Sequence, residues 1–282
     1  MPATIAAIAA KLGLAARRFD IDVLPSCDST NAVLLSRADA GAPSGTVIIA
    51  EEQTAGRGRR GRRWIASPGD SLTFSLLWRF APGTAPAGLS LAVGVAVARA
   101  LQKVGAGALP AGVLCTPGTP LRGQASASRA GKAVLKWPND ILRDGRKLGG
   151  ILVELVPGAP HAAVIGIGLN LHLPAAMPED VRAASAAIGA MGDTVDINDL
   201  LAALLGELLT TLETFAAEGF AAIRPEWMRR HALQDARVSL STDFGPSSEG
   251  ICRGVDSDGA LLLEVDGRVE RILSGEVSLR PA

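Results

Sequence analysis

The sequence predicts an α+β fold, a mixed sheet with helices on one face followed by a small all-β domain. Three observations carry that expectation. β-Branched or alternating runs recur between residues 46 and 171. Two long stretches carry helical spacing, and from Arg237 the chain breaks into short strands separated by Asp-Gly turns.

Taken in order, Thr4 to Ala16 reads as a short helix. No basic residue precedes its apolar run and Lys11 interrupts it, so a secretory signal is not expected. Asp28-Ser29-Thr30-Asn31 leads into a helix from Ala32 to Arg37, which Asp28 or Ser29 can cap. Thr46 to Ala50 is a buried strand, and a loop rich in Gly and Arg runs from Glu51 to Gly69. Leu72 to Leu76 alternates apolar and polar residues, the pattern of a half-buried strand. Ala87 to Val104 has helical spacing and stops at Gly105.

Residues Gly105 to Gly131 lack periodicity and are expected to be a flexible insertion without ligand contacts. Strands resume at Ala133 to Trp137, Leu148 to Val156 and Ala162 to Leu171, with a hairpin turn at Asp144-Gly145 between the first two. Asp196 is placed to cap a helix whose Leu201, Leu204, Leu205, Leu208 and Leu212 form one stripe. A second helix carries Trp227 and Met228. The last stretch, turning at Asp258-Gly259 and Asp266-Gly267, is long enough for a small barrel but marginal alone, so docking on the larger domain is expected. The expected division is 1–234 for the larger domain and 235–282 for the smaller.

Composition narrows the function classes. Lys+Arg number 28 and Asp+Glu 28, so no overall field favours nucleic acid or an anionic membrane. No window reaches the roughly 18 to 20 uncharged apolar residues of a membrane span. Cys27, Cys115 and Cys252 are scattered, odd in number and in no metal spacing, which suits a reducing cytoplasm. The chain reads as a cytoplasmic protein with no membrane or DNA partner.

The chemistry-bearing segments are few. Gly56-Arg57-Gly58-Arg59-Arg60-Gly61 fits the dinucleotide pattern G-x-G-x-x-G, but Trp64, Pro68 and Gly69 follow it where a helix should open. It reads instead as an arginine-bearing loop for an anion, as a solvated charge run, or as an RNA-binding arginine patch, for which Trp64 is the one aromatic platform nearby. Arginine is the default cation here, and the lysines are only Lys11, Lys103, Lys132, Lys136 and Lys147. Lys136 and Lys147 bracket one hairpin, where a compact charge can follow a reacting oxygen or simply face solvent. The glycines of Gly166-Ile167-Gly168-Leu169-Asn170 allow close approach of a ligand or of another chain segment. No Walker loop, H-E-x-x-H or C-x-x-C is present, and His161, His172 and His231 lie far apart in sequence.

With those segments in hand, the sequence resembles the biotin–protein ligase family. The blocks that carry the likeness are Asp28 to Asn31, Glu52 to Gly61 with Trp64, Lys136-Trp137-Pro138-Asn139-Asp140, Lys147 to Glu154, and Gly166 to Asn170. Gly250 to Arg280 is similar to the family's SH3-like C-terminal β-barrel. The resemblance implies a class II synthetase-like catalytic domain that joins biotin and ATP as biotinyl-adenylate. It then passes biotin to a lysine of a biotin carboxyl carrier protein.

The same resemblance assigns roles. Ser29, Thr30, Asn31 and Gln53 would hold biotin, with Arg57, Gly58 and Arg59 closing over biotin and the adenylate. Lys147 would sit between the biotin carboxylate and the α-phosphate, and Lys147, Arg57 and Arg59 are the catalytic candidates. Arg59, Arg60, Trp64, Lys136, Asn139, Asn170 and Arg280 would contact ATP, and Asp140 would join a Mg²⁺ shell. A short form without a DNA-binding domain is expected, as a monomer or weak homodimer. The alternatives are a lipoate–protein ligase of the same fold, whose pattern of paired arginines followed by a glycine triplet is missing, and a non-enzymatic biotin sensor.

Overall fold

The computed structural model describes residues 2–105, 131–174, 177–191, 195–242, 247–273 and 277–281. The expected insertion, Gly105 to Gly131, therefore lies outside the described residues except for its two end glycines, and Cys115 lies outside with it.

Seven strands form the main sheet: β1 (Asp20–Cys27), β2 (Thr46–Gln53), β3 (Ser71–Arg79), β4 (Ala133–Lys136), β5 (Asp140–Arg143), β6 (Arg146–Val156) and β7 (Ala159–Asn170). Their order is β1-β2-β3-β7-β6-β5-β4. The β1–β2 pair is parallel and the others antiparallel, so the sheet is mixed. Asp144 and Gly145, at φ 50° and 76°, make the turn between β5 and β6 that their residue types call for.

Strand alternation divides the sheet into two unlike faces. Leu72, Phe74, Leu76 and Trp78 of β3, with Ala163, Ile165, Ile167 and Leu169 of β7, point into the main core. Against that face pack α1 (Ile5–Leu12), α3 (Leu89–Lys103), α5 (Ile197–Glu218) and α6 (Phe220–Arg230). The opposite face begins apolar, with Ile48, Leu77, Ala162 and Val164 under Leu34 and Ala38 of α2 (Thr30–Asp39). Further along the same strands it turns small and polar. Thr73 pairs with Gly168 and Gly168 with Gly150, while Ser75 pairs with Gly166 and Gly166 with Leu152. The half-buried reading of Leu72 to Leu76 is therefore corrected: Thr73 and Ser75 are buried too, because other segments cover their side.

Asp196 caps α5 as expected, accepting from Asn198 N (2.7 Å) and Asp199 N (3.2 Å). Among the described residues α5 is the one helix long and apolar enough to cross a membrane. Its leucines Leu200, Leu201, Leu204, Leu205, Leu208 and Leu212 are fully buried in the protein core, which accounts for its composition. A short helix, α4 (Glu179–Ala183), has no counterpart in the sequence reading.

The C-terminal strands β8 (Arg237–Thr242), β9 (Ser248–Val255), β10 (Leu261–Val265), β11 (Arg268–Ile272) and β12 (Val277–Pro281) form an antiparallel sheet ordered β11-β10-β9-β8-β12. This sheet docks rather than standing free. Val238, Val255, Leu261 and Leu263 join the main core cluster. The fully buried Trp137 donates its Nε1–H to Gly259 O at 3.1 Å, and Arg224 Nε donates to Val255 O at 2.6 Å.

Candidate active site

The polar half of the second sheet face is the floor of a cavity of about 610 Å³. Every residue singled out from the sequence as a site candidate lines it, from Ser29 at one end to Arg280 of the C-terminal domain at another. Segments distant in sequence meet here because the floor strands and their covering loops share one face.

At the deep end, the start of α2 lies across β3 and β7. Gln53 Oε1 accepts from Thr30 N at 2.8 Å and lies 3.2 Å from Thr30 Oγ1. Ser75 Oγ lies 2.7 Å from Thr30 Oγ1 and 2.6 Å from Asn31 Oδ1. A serine hydroxyl carries one proton, and Asn31 Oδ1 can only accept. Ser75 therefore donates to Asn31 and receives from Thr30. Asn31 Nδ2 donates to Glu154 Oε2 (2.7 Å) and to Leu152 O (3.3 Å), which fixes the amide's orientation. A Cβ on Gly166 would lie 2.2 Å from Asn31 Oδ1, so only glycine admits the amide here. Ser75 lies outside the matching blocks, and Glu154, at the end of one of them, carried no expected role.

The arginine loop forms a hairpin over the floor, which sets aside the dinucleotide pattern. Gly58 N donates to Arg62 O (2.7 Å) and Trp64 N to Gly56 O (2.9 Å), with Arg60 at φ 60° in the tip. A Cβ on Gly56 would lie 2.5 Å from Trp64 O. The Trp64 ring rests on β7, where a Cβ at Gly168 would lie 2.5 Å from its Cε2. Its Nε1–H is buried and has no hydrogen-bond partner among the described residues, and a Cβ at Gly168 would lie 2.9 Å from it. The two flanking arginines part company. Arg57 is exposed and reaches Glu154 Oε2 at 3.3 Å, whereas Arg59 is half-buried and reaches Asn139 Oδ1 at 3.4 Å. Burial lowers the Arg59 pKa, with Asp140 opposing that effect.

The β4–β5–β6 hairpins supply the other wall. Asp140 accepts from Lys147 Nζ on one carboxylate oxygen (2.6 Å) and from Lys136 Nζ on the other (3.1 Å). Burial pushes the Asp140 pKa up, but the two ammonium groups outweigh it and hold the carboxyl below its ordinary value. Lys147 keeps much of its side chain open to the cavity, at 39% exposure. The main chain of Lys147 is itself clamped, with Lys147 N donating to Ala184 O and Ala186 N to Lys147 O, both at 2.8 Å.

Two expectations change in detail. Asn139 donates Nδ2 to Ile151 O (3.0 Å), and Asn170 donates Nδ2 to Ala186 O (3.0 Å) and Lys147 O (3.3 Å). Both amides thus brace the walls, and each can offer a ligand only its remaining valences. Asp140, expected in a Mg²⁺ shell, spends both oxygens on lysines, and no cluster of three metal-ligating side chains occurs among the described residues. Among the described residues no protein-held cation site is built.

A polar floor, a cationic wall and a glycine-rich hairpin surround one cavity, an arrangement that suits a ligand with a neutral polar part and an anionic part. The family model described as "Biotin/lipoate A/B protein ligase family" matches residues 23–170, and that described as "Biotin protein ligase C terminal domain" matches 237–280. The chain belongs to the biotin/lipoate A/B protein ligase family, on its biotin protein ligase side. It is 38% identical over 265 residues to the bifunctional ligase/repressor BirA of Escherichia coli, covering 93% of this chain and 74% of that relative. The biotin–[acetyl-CoA-carboxylase] ligase of Paracoccus denitrificans is 33% identical, with 90% and 98% covered. The solved biotin protein ligase of Aquifex aeolicus, in complex with biotin and ATP, superposes with a TM-score of 0.73 at 25% identity, covering 93% of this chain and 99% of that one.

Proposed function

We propose that the chain condenses biotin with ATP to biotinyl-adenylate and transfers the biotinyl group to a lysine of a carboxylase's biotin carrier domain. The observation that carries the reading is that Ser29, Thr30 and Gln53 line the same cavity as Lys147. A ureido ring needs the first and a carboxylate beside a phosphate needs the second.

In the first step a biotin carboxylate oxygen attacks the α-phosphorus of ATP, the bond to the β-phosphate oxygen breaks, and pyrophosphate leaves. The barrier is like-charge repulsion, so positioning and charge neutralisation do the chemistry. Lys147 serves carboxylate and α-phosphate together, Lys136, Arg60 and Arg280 serve the phosphates, and Arg59 covers the new anhydride. Magnesium enters this proposal only as the counter-ion that ATP brings. In the second step the carrier amine attacks the acyl carbon and AMP departs. No protein nucleophile is needed, and the hairpin of residues 56–64 keeps water from the anhydride until the amine arrives. A reducing cytoplasm suits the two described cysteines, Cys27 and Cys252, which are both free.

Incubation with ATP labelled on the α-phosphate, and with biotin or lipoate, tests this directly. Labelled adenylate should appear with biotin, followed by biotin on a carrier domain. Adenylate with lipoate alone would make the chain a lipoate ligase. Biotin binding with no adenylate at all would reduce it to a sensor.

A further inference from the structure

We infer that Asp140 is the positioning residue of the adenylation step, holding Lys136 and Lys147 where the reacting anions meet. The inference rests on the ligase reading above and departs from a metal-binding role for this carboxylate. Asp140 opens β5, directly across the ladder from Lys136 on one side and Gly150 on the other. Gly150 is open enough that a Cβ there would lie 3.4 Å from Lys147 Nζ, so the lysine passes over a glycine to reach the carboxylate. One oxygen takes Lys147 and the other Lys136. The carboxylate is 17% exposed and Lys136 20%, so this contact is largely shielded from solvent.

Two ammonium groups this close repel each other, and without a carboxylate between them the longer-reaching one swings toward water. Asp140 removes that tendency at the cost of one N–H from each lysine. An ammonium has three N–H groups, so Lys147 keeps two. Those two match the two anions of the reaction, one for the biotin carboxylate and one for the α-phosphate. A lysine tethered by its third N–H is already aimed before either ligand binds, which is the preorganisation that charge-neutralising catalysis requires. Asp180 also lines the cavity, but it is exposed and contacts neither lysine among the described interactions.

The test is a double-mutant cycle on the full chain, read by single-turnover adenylate formation. Misplacing a reacting group by about an ångström costs on the order of 10²-fold in rate, so Asp140→Asn should slow adenylation by about that factor. Biotin KM should stay near wild type, because the ring end of the ligand is held elsewhere. Asp140→Glu should recover part of the rate, and excess Mg²⁺ should recover none of it in Asp140→Asn. In a Lys147→Ala background Asp140→Asn should cost much less than it does alone, because only Lys136 is left for it to position. That cycle also covers a destabilised Asp140→Asn, since misfolding would add its loss in both backgrounds. Fully multiplicative losses, or rescue by Mg²⁺, would overturn the inference. A wild-type chain that forms no adenylate would refute the ligase reading, and this inference with it. An active wild type beside an unimpaired Asp140→Asn would refute this inference alone.

Discussion

In the proposed reaction Lys147 and Arg59 have different tasks, and they sit differently in the cavity. In that reaction Lys147 meets the reacting anions, so Lys147→Ala should slow adenylate formation by about 10² to 10³-fold, the usual cost of one lost charge-stabilising contact in a preorganised site. Near wild-type single-turnover adenylation in that variant would remove it from the mechanism. Arg59 is half-buried beside Asn139, whereas Arg57 is exposed and tied to Glu154. The motif treats these arginines alike; their placement does not. A charge-assisted hydrogen bond contributes about 1.5 to 3 kcal/mol, equivalent to roughly 10- to 150-fold in a dissociation rate. Arg59→Gly should therefore still make adenylate but release it that much faster, labelling bystander lysines. Arg57→Gly should loosen it less, and equal loosening by both would mean that burial does not decide which arginine holds the intermediate.

The elements explain both what the sequence disclosed and what it hid. Runs such as Thr46 to Ala50, the Asp144-Gly145 turn and the Asp196 cap are local signals, set by a few adjacent residues, and they are found where expected. β1 escaped because it is an edge strand with Asp20, Asp22 and Pro25 in it, a pattern that a strand paired on one side only tolerates. Site motifs were legible as blocks, since they bring rare residue types together. Ser75 was not, for it sits in an ordinary alternating strand and gains its role only from the α2 start laid over it. The glycines of β7 make that overlay testable. Gly166→Ala would drive a methyl into Asn31 and should raise biotin KM, while Gly168→Ala would lift Trp64 and should raise adenylate loss instead. The same defect from both would deny that the two glycines support separate parts. On the far side of the sheet, Glu226 of α6 is held below the ordinary carboxylate value of 4.5: burial raises it, but hydrogen bonds from Arg99 and Arg230 prevail. A depressed pKa gives stability that is full above the unfolded value and lost as pH falls through the folded one. Melting temperature should thus drop as pH falls below about 4.5, and Glu226→Gln should flatten that part of the curve. An unchanged slope would show that the pair contributes nothing measurable.

At the scale of the molecule, the C-terminal domain is a structural part of the cavity. Gly259, at φ +86°, sits so close to α3 that a Cβ would lie 2.8 Å from Gly88 Cα, and its carbonyl holds Trp137. Gly259→Val should loosen that docking and withdraw Arg280, raising ATP KM more than biotin KM. Equal changes in the two would mean that the domain supports the fold without serving the nucleotide. The seat of Trp64 on Gly168 has an optical consequence. The chain has four tryptophans and no tyrosine, and Trp78, Trp137 and Trp227 are sealed in the core at 6%, 0% and 1% exposure. Trp64 is the half-exposed one, lining the cavity on the hairpin that the proposed reaction has close over the adenylate. The protein therefore carries its own fluorophore at the lid, over a background of three indoles shielded from solvent. Lid movement should be readable in real time as a change in intrinsic emission when biotin and ATP are mixed in, without any label, and Trp64→Phe should erase that signal.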